Sequence, residues 1–358
     1  MSSTIKLGNL SLSVFGESHG LAIGAVIDNL PADEELDLDK ILEFMTRRAP
    51  KKDGTSTMRN ETDNPEVISG FYNGKTTGEA LCAVIKNNDQ QSNDYKSISA
   101  LARPGHADYT GYVKYKGAND FRGGGHFSGR LTAPLVFAGA VCGQILEKKS
   151  ITTGAHIYSI GNEKDMPFDM VNLNAEQLNT VKKRYLPVID DTADERMRNV
   201  INNARENLDS VGGVIECGAV GLKCGIGEPI FDGIENRIAQ LVFGIPAVKG
   251  IEFGVGFSAA SLFGSENNDE FYMDGDAIKT RTNNSGGILG GISNGMPIVF
   301  RVAIKPTPSI SRPQNTVDFI KKENAVIEIK GRHDPCIVPR AVPCIEAALN
   351  IALMSFLC

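Results

Sequence analysis

The chain has 358 residues, of which 41% are hydrophobic and 22% charged, as is typical of a folded globular protein. At this length the burial of apolar surface suffices for folding, so neither disulfides nor a structural metal is required. Tryptophan is absent, aromatic residues make up 7% and the net charge is −6, which argues against a nucleic-acid partner. Glycine is unusually frequent, with 38 residues.

The seven cysteines show no CxxC pair and no zinc-ligand spacing, so we expect reduced thiols in a cytoplasmic protein. The N-terminal residues lack a basic segment followed by an apolar core, so no export signal is predicted. The longest apolar stretch, 341–357, contains Glu346 and Asn350 and is too short to span a bilayer. We therefore expect no membrane association and predict a helix buried in the core or at a subunit contact.

The spacing of apolar residues indicates a mixed α and β protein. A period of two predicts strands at residues 10–14, 21–27, 213–220, 251–257 and 296–304. Spacings of three and four predict helices at residues 38–45, 131–145, 192–208 and 234–241. We expect Asp37 to cap the first helix and Thr192 to form a capping box with Glu195. Strands and helices do not alternate regularly enough for a doubly wound sheet or a barrel, so we predict a single α+β domain over residues 1–358.

Four of the five histidines lie in short segments rich in glycine, proline and charge. These segments are 16–20 (Gly-Glu-Ser-His-Gly), 103–108 (Arg-Pro-Gly-His-Ala-Asp), 122–126 (Arg-Gly-Gly-Gly-His) and 331–335 (Gly-Arg-His-Asp-Pro). The fifth, His156, has no such neighbours. One histidine in a turn is usually a local hydrogen-bonding residue, but four in similar segments favour acid–base chemistry. No HxxxH or HExxH spacing indicates a metal site, and no GxSxG motif indicates a serine hydrolase.

Arginine accompanies the same segments. Arginines in or beside them are Arg47, Arg48, Arg59, Arg103, Arg122, Arg130, Arg332 and Arg340. Surface ion pairs would account for any one of them, but eight in an acidic protein favour a bound carboxylate or phosphate.

Two further segments suit an anion. The three glycines 123–125 precede a predicted helix, where backbone N–H groups can bind an anion, although a tight turn is an equally good explanation. Residues 305–309 (Lys-Pro-Thr-Pro-Ser) place a cation and two hydroxyls in one loop, without a P-loop or GxGxxG motif. The residues alone thus indicate an enzyme for a polyanionic small molecule, without defining the reaction.

Together these segments resemble the chorismate synthase family. The resemblance covers nearly the whole chain, in the family's order and approximate spacing, through motifs at residues 15–20, 47–48, 69–70, 76–78, 103–110, 122–125, 247–250, 286–295, 305–309, 331–336 and 339–343.

The resemblance implies a lyase of the shikimate pathway, in aromatic amino-acid biosynthesis. Its reaction would be the 1,4-anti elimination of phosphate from 5-enolpyruvylshikimate 3-phosphate to give chorismate, with reduced FMN as cofactor and no net redox change. The implied fold is a single-domain β-α-β sandwich with helices enclosed between antiparallel sheets, assembled as a homotetramer. The resemblance leaves open whether NADPH reduces the flavin on this chain or an external flavin reductase does so.

The family's functional residues match positions in this sequence. His19 is the implied proton donor to the departing phosphate, His106 the group that hydrogen-bonds and protonates reduced flavin, and Asp334 the carboxylate that handles the proton at flavin N5. The implied substrate-binding residues are Arg48, Arg103, Arg130 and Arg332. The implied flavin-binding residues are His126, Phe127, Ser128, Pro246, Ala247, Gly290, Lys305, Pro306, Thr307, Pro308, Ser309 and Arg332. No metal is implied.

Three departures from the family pattern affect binding segments. His126 stands where many relatives have arginine, Lys51 and Lys52 lie in a segment that usually carries an arginine, and Pro246 replaces a usual asparagine. None affects the three implied catalytic residues, so we expect activity. The alternatives are an FMN-dependent oxidoreductase acting on a polyanionic small molecule, and a flavin- or phosphate-binding protein without catalysis.

Overall fold

The computed structural model describes residues 3–50, 63–87, 100–329 and 334–358. Its strands, in chain order, are β1 (Thr4–Leu7), β2 (Leu10–Gly16), β3 (Ala22–Asp28), β4 (Pro65–Ser69), β5 (Phe71–Tyr72), β6 (Lys75–Thr76), β7 (Leu81–Lys86), β8 (Thr152–Ile160), β9 (Glu163–Lys164), β10 (Gly213–Val220), β11 (Val248–Phe253), β12 (Phe271–Asp274), β13 (Ala277–Thr280), β14 (Ile288–Leu289), β15 (Ile292–Ser293), β16 (Ile298–Ile304), β17 (Gln314–Asp318) and β18 (Glu323–Ile327). Its α-helices are α1 (Leu38–Thr46), α2 (Asp108–Tyr115), α3 (Thr132–Lys148), α4 (Ala175–Lys182), α5 (Asp191–Glu206), α6 (Ile234–Val242), α7 (Gly264–Asn267) and α8 (Val338–Met354). Short 3-10 helices lie at Arg122–Phe127, Gly129–Leu131 and Gly256–Ser261.

Two five-stranded antiparallel sheets form the outer layers. The first has the order β1-β2-β3-β7-β4 and the second the order β11-β16-β10-β8-β9. Buried and less buried residues alternate along β7, as expected for a strand with one face on the core. Each sheet therefore offers an apolar face that another layer must cover.

Helices α3 and α8 form that middle layer. Helix α3 packs on β2, β3 and β7, helix α8 packs on β8 and β10, and the two helices pack on each other. Their contact is close, since a Cβ atom on Gly139 would lie 2.2 Å from Cβ of Ala347. Because both helices are covered on nearly all sides, their sequences are apolar all round. The predicted α+β fold, with helices enclosed between antiparallel sheets, is confirmed.

One described segment, Gly129–Lys148, is long and apolar enough to cross a membrane by length and composition, and 83% of its most apolar window is buried inside the protein. Here it belongs to the helical layer just described.

The predicted helices and strands are present in the structure, and several of their boundaries are shifted by one to four residues. The predicted strands 10–14 and 21–27 correspond to β2 and β3, which pair with each other. As predicted, Asp37 caps α1, and its side chain accepts from the backbone N–H groups of Asp39 and Lys40. Helix α1 ends at Thr46, before Pro50. The predicted strand 251–257 is shifted, because Gly254 adopts a φ of +57° and ends β11 at Phe253.

The predicted capping box at Thr192 is wrong. Asp190 is the N-cap of α5, and its carboxylate accepts from the backbone N–H of Thr192 at 2.9 Å and from its hydroxyl at 2.6 Å. An Asp carboxylate caps a helix as well as a hydroxyl does and also favours the positive end of the helix dipole. The helix therefore begins one residue before Thr192.

Candidate active site

A left-handed glycine turn lies at the centre of the site. Gly123, Gly124 and Gly125 have φ values of +61°, +89° and +54°, a conformation that residues with a Cβ rarely adopt. A Cβ on Gly125 would also lie 2.0 Å from the carbonyl oxygen of Asp120. The turn leads through residues 126–131 into α3, which anchors it to the core.

Two of the implied catalytic histidines face this turn. A Cβ on Gly123 would lie 2.6 Å from Nε2 of His19, and one on Gly124 would lie 3.2 Å from Nε2 of His106. Neighbouring Cα atoms are about 3.8 Å apart. The structure thus brings together two imidazoles from distant segments, and only glycine leaves room for both.

Backbone and side-chain bonds fix the His19 loop against the glycine turn. The N–H of Ser18 donates to the carbonyl of Gly125 at 3.2 Å, and its hydroxyl donates to the carbonyl of Arg122 at 3.2 Å. His19 itself is buried. Its position therefore depends on the turn as well as on the β2–β3 connection.

His106 belongs to a charged cluster with Arg103 and Asp108. The carboxylate of Asp108 lies 2.7 Å from Nδ1 of His106 and accepts from Arg103 Nη2, also at 2.7 Å. Burial opposes the charged form of Asp108, but the bonds from Arg103 and His106 outweigh it and hold the pKa of this carboxyl below its usual range. The contact at Nδ1 orients the ring, so that Nε2 faces the glycine turn.

Asp108 had no assigned role in the sequence, although it closes the segment 103–108. A carboxylate two residues after a candidate histidine was the available signal. Only the fold shows that the start of α2 directs it back at His106.

The loop 305–309 packs on the same cluster. Lys305 donates to the carbonyl of Gly105, and Ser309 accepts from Arg103 Nη1 at 3.3 Å. The backbone N–H of Lys305 donates to the carbonyl of Ala247 at 2.9 Å, so the 246–247 segment joins this loop. The hydroxyl of Thr307 is buried and has no hydrogen-bond partner among the described residues. A polar ligand beside it would supply one.

A second cluster forms around Asp63, which sequence reasoning missed. Its carboxylate accepts from Arg48 Nε at 3.0 Å and Nη2 at 2.7 Å, and from Arg130 Nη1. All three side chains are buried. Burial opposes the charge, but the two guanidinium groups prevail and lower the pKa of Asp63. No motif surrounds Asp63, so no local pattern in the sequence distinguished it from other acidic residues.

Asp334 connects to this arginine cluster. Its carboxylate accepts from Arg340 Nη1 at 2.7 Å, and Arg340 Nε donates to the backbone carbonyl of Arg48 at 2.9 Å. Asp334 therefore lies in the same chain of contacts as two of the implied substrate-binding arginines.

The residues after the glycine turn have different surroundings. His126 contacts the carbonyl of Gly16 through Nδ1 at 2.9 Å and the hydroxyl of Ser3 through Nε2 at 3.0 Å. Phe127 lines a cavity beside the Arg103–Asp108 cluster. The other residues that line this cavity are Leu101, Arg103, Ala107, Asp108, Tyr112, Gly117, Asn119, Phe121, Gly124 and Phe319. Ser128 caps the short helix that follows, accepting from the N–H of Arg130.

Gly290 is not brought to the 305–309 loop within this chain. It lies in the exposed turn between β14 and β15, and this hairpin packs near Pro297, before β16 begins. Lys305 follows the other end of β16, a seven-residue strand about 20 Å long. Arg332 lies outside the described residues, as do Lys51 and Lys52.

His156 lies apart from these clusters. It is fully buried on β8, with Nδ1 3.1 Å from Asp165 and Nε2 2.9 Å from Glu216. Burial opposes its charged form, but the two carboxylates prevail and raise its pKa.

Two imidazole groups face one glycine turn, with arginines and carboxylates beside them. This arrangement is typical of enzymes that perform acid–base chemistry on anionic small molecules. Among the described residues, no group of three His, Cys, Asp or Glu side chains is arranged to hold a metal ion.

Comparison with known proteins is more specific. The family model described as chorismate synthase matches residues 10–358. Relatives named chorismate synthase include one from Dehalococcoides mccartyi strain 195, 44% identical over 97% of this chain and 95% of its own length. Another, from Korarchaeum cryptofilum, is 45% identical over 96% of this chain and 94% of its own. A structure named "Crystal Structure of Chorismate Synthase" matches with a TM-score of 0.77 and 31% identity, over 98% of this chain and 92% of that one.

The chain belongs to the chorismate synthase family. The resemblance stated from the motifs is confirmed, and the comparisons support the chorismate synthase function rather than the oxidoreductase alternative.

Proposed function

We propose that this chain is a carbon–oxygen lyase acting on a phosphate ester, and that the site described above performs the reaction. The C–O bond to phosphate and a ring C–H bond of 5-enolpyruvylshikimate 3-phosphate break, and a new C=C bond gives chorismate. The observation that carries the proposal is the approach of His19 and His106 to one glycine turn, beside Arg103.

The charge of the site suits the substrate, which carries a phosphate and two carboxylates. Arg48, Arg103 and Arg130 are buried, and a guanidinium group can bind such anions through two parallel hydrogen bonds. With Arg332 these are the proposed substrate-binding residues. Asp63 and Asp108 offset part of the positive charge, which lowers the cost of keeping arginines buried before substrate arrives.

The residues of the 305–309 loop fit the phosphate and polar groups of FMN. Lys305 supplies a cation, Ser309 a hydroxyl, and Thr307 a buried hydroxyl that needs a partner. We propose this loop, Pro246, Ala247, Arg332 and residues 126–128 as the flavin-binding residues, without Gly290, which lies at the opposite end of β16. When bound, reduced FMN supplies an electron-rich centre that supports the loss of phosphate and hydrogen without net redox change.

Three side chains divide the proton transfers in this proposal. His19 donates a proton to the departing phosphate, and the buried position of its ring keeps water from competing for that proton. His106, oriented by Asp108, would hydrogen-bond to a bound reduced flavin and could supply it with a proton. Asp334, held by Arg340, would be the carboxylate that takes up a proton beside flavin N5.

We further propose a cytoplasmic homotetramer of single-domain subunits. The flavin is reduced either by NADPH on this chain or by an external flavin reductase.

Phosphate release tests the proposal. Under anaerobic conditions, 5-enolpyruvylshikimate 3-phosphate should release many phosphates per reducing equivalent with dithionite-reduced FMN, and none with oxidised FMN. An oxidoreductase would instead consume reductant with each turnover. No release despite substrate binding would contradict the lyase function.

Histidine variants test the assignment of the site. His19→Ala and His106→Ala should each lower kcat by about 10²- to 10⁴-fold, the range for loss of a general acid. His156→Gln is the control, since it removes a histidine outside the site and should leave the kcat of the folded enzyme unchanged. Wild-type kcat in either site variant would remove that histidine from the mechanism.

A further inference from the structure

Asn87 is held beside the His19 loop by the first sheet. It follows β7, and its backbone N–H donates to the carbonyl of Leu21 at 3.2 Å, which continues the β3–β7 pairing one residue past Ala22 and Lys86. The side chain of Asn87 therefore starts from a fixed point next to the β2–β3 turn.

The amide of Asn87 joins two parts of the site. Its Nδ2 donates to the carbonyls of Glu17 at 3.0 Å and Gly20 at 2.9 Å, on either side of His19. Its Oδ1 accepts from Arg130 Nε at 3.1 Å. Carbonyl oxygens only accept and guanidinium nitrogens only donate, so these partners fix which end of the amide is oxygen.

We propose that Asn87 is a positioning residue, which sets the distance between the proton donor His19 and the anion-binding group Arg130. The proposal rests on the roles given to His19 and Arg130 under the proposed function. Leaving-group protonation requires the acid and the bound phosphate to be in register, and a misplacement of about 1 Å can cost about 10²-fold in rate. An amide suits this position because it offers two donors and an acceptor.

The Asn87 amide forms a bridge with two halves, the bonds from Nδ2 to the carbonyls of Glu17 and Gly20 and the bond from Arg130 to Oδ1. Two substitutions test these halves separately. In Asn87→Asp the oxygen facing Arg130 remains, but the second carboxylate oxygen would face the carbonyls of Glu17 and Gly20 and cannot donate to them. We expect kcat to fall by at least about tenfold with KM within about threefold of wild type. Asn87→Ala loses both halves, so kcat should fall and KM should rise by about tenfold or more.

Lys86→Ala is the matched control. The Lys86 side chain is exposed and pairs with Glu66 at 2.6 Å, away from the His19 loop, and its backbone pairing in β7 is unaffected by the substitution. We expect wild-type kcat and KM in this variant.

Hydrogen exchange gives a readout that does not depend on turnover. In both Asn87 variants, amides of residues 16–22 should exchange faster than in wild type, because the turn has lost two of its tethers. In Lys86→Ala they should exchange at the wild-type rate. If wild type releases no phosphate, the proposed function fails, and exchange decides alone whether the bridge holds the loop.

The proposal is overturned if Asn87→Asp has wild-type kcat, or if residues 16–22 exchange at the wild-type rate in that variant. It is also overturned if Asn87→Asp and Asn87→Ala change kcat and KM by the same factors, since the bond to Arg130 would then have no separate effect. If Asn87→Ala does not fold, the comparison of kcat and hydrogen exchange between Asn87→Asp and Lys86→Ala still tests the positioning role of Asn87.

Discussion

Substitution of Asp63 by Asn tests the energetics of the arginine cluster. The change keeps the shape of the side chain but replaces one carboxylate oxygen by an NH₂ group and removes the charge. Arg48 uses Oδ2 twice and Arg130 uses Oδ1. In Asp63→Asn the single remaining oxygen can therefore serve only one arginine, and the amide NH₂ faces the other.

The expected cost follows from burial. The side chains of Asp63, Arg48 and Arg130 are exposed by only 3%, 4% and 7%. Removing one member of a buried ion pair typically costs about 3–5 kcal/mol, because the remaining charge is left without compensation in a poorly solvating environment. We expect Asp63→Asn to lower the free energy of unfolding by about 3 kcal/mol or more.

Urea unfolding followed by far-UV circular dichroism measures this, since the chain has no tryptophan. Glu66→Gln is the matched control, three residues along the chain, with a side chain 53% exposed and paired with Lys86. An exposed pair contributes about 0–1 kcal/mol. If Asp63→Asn unfolds within about 1 kcal/mol of Glu66→Gln, the argument from burial is refuted.

The pH dependence gives a second check on Asp63. Its pKa is lower in the folded chain than the ordinary 3.8, so its charge stabilises the fold fully above that value. The free energy of unfolding of wild type should exceed that of Asp63→Asn at neutral pH, and this difference should decline as pH falls below about 4. If this difference in free energy of unfolding grew as the pH fell, the lowered pKa of Asp63 would be contradicted.

Four further substitutions have distinct expected outcomes. Asp108→Asn should lower kcat by about 10²-fold in the phosphate-release assay, because His106 loses the carboxylate that orients its ring. Gly124→Ala should lose turnover, since the new Cβ would lie 3.2 Å from Nε2 of His106. Gly74→Ala has a similar φ of +81° with open space around it, so it should share the backbone strain of about 1–2 kcal/mol while keeping wild-type kcat. His156→Gln should be less stable than wild type below pH 6.5, with the difference shrinking as pH rises through the raised pKa of His156, measured by thermal unfolding at several pH values.

Each of these has a result that would contradict it. Asp33→Asn removes an exposed carboxylate paired with Lys75, and equal kcat in this control and in Asp108→Asn would deny Asp108 a role. Equal losses of kcat in the two glycine variants would attribute the effect to backbone strain alone. If the difference in stability between wild type and His156→Gln grew above pH 6.5, the inferred positive charge of His156 below that pH would be contradicted.

Much of the fold was readable in the sequence. Strands β2 and β3, helix α1 with its Asp37 cap and the apolar helix α3 follow from local patterns, because side-chain periodicity depends only on the geometry of the element. Boundaries were less secure. The start of α5 depended on a choice between Asp190 and Thr192, two good caps two residues apart, which pattern alone does not decide.

The sequence by itself determined the family and the chemical character of the site, because its histidines, arginines and glycines occur in short motifs whose order could be read. Tertiary structure alone decided which groups meet. Asp63, Asn87 and Asp108 each hold other functional side chains in place, yet two of them lie outside the recognised motifs. Their partners are distant in sequence and become neighbours only when sheet pairing and helix packing bring the connecting loops together.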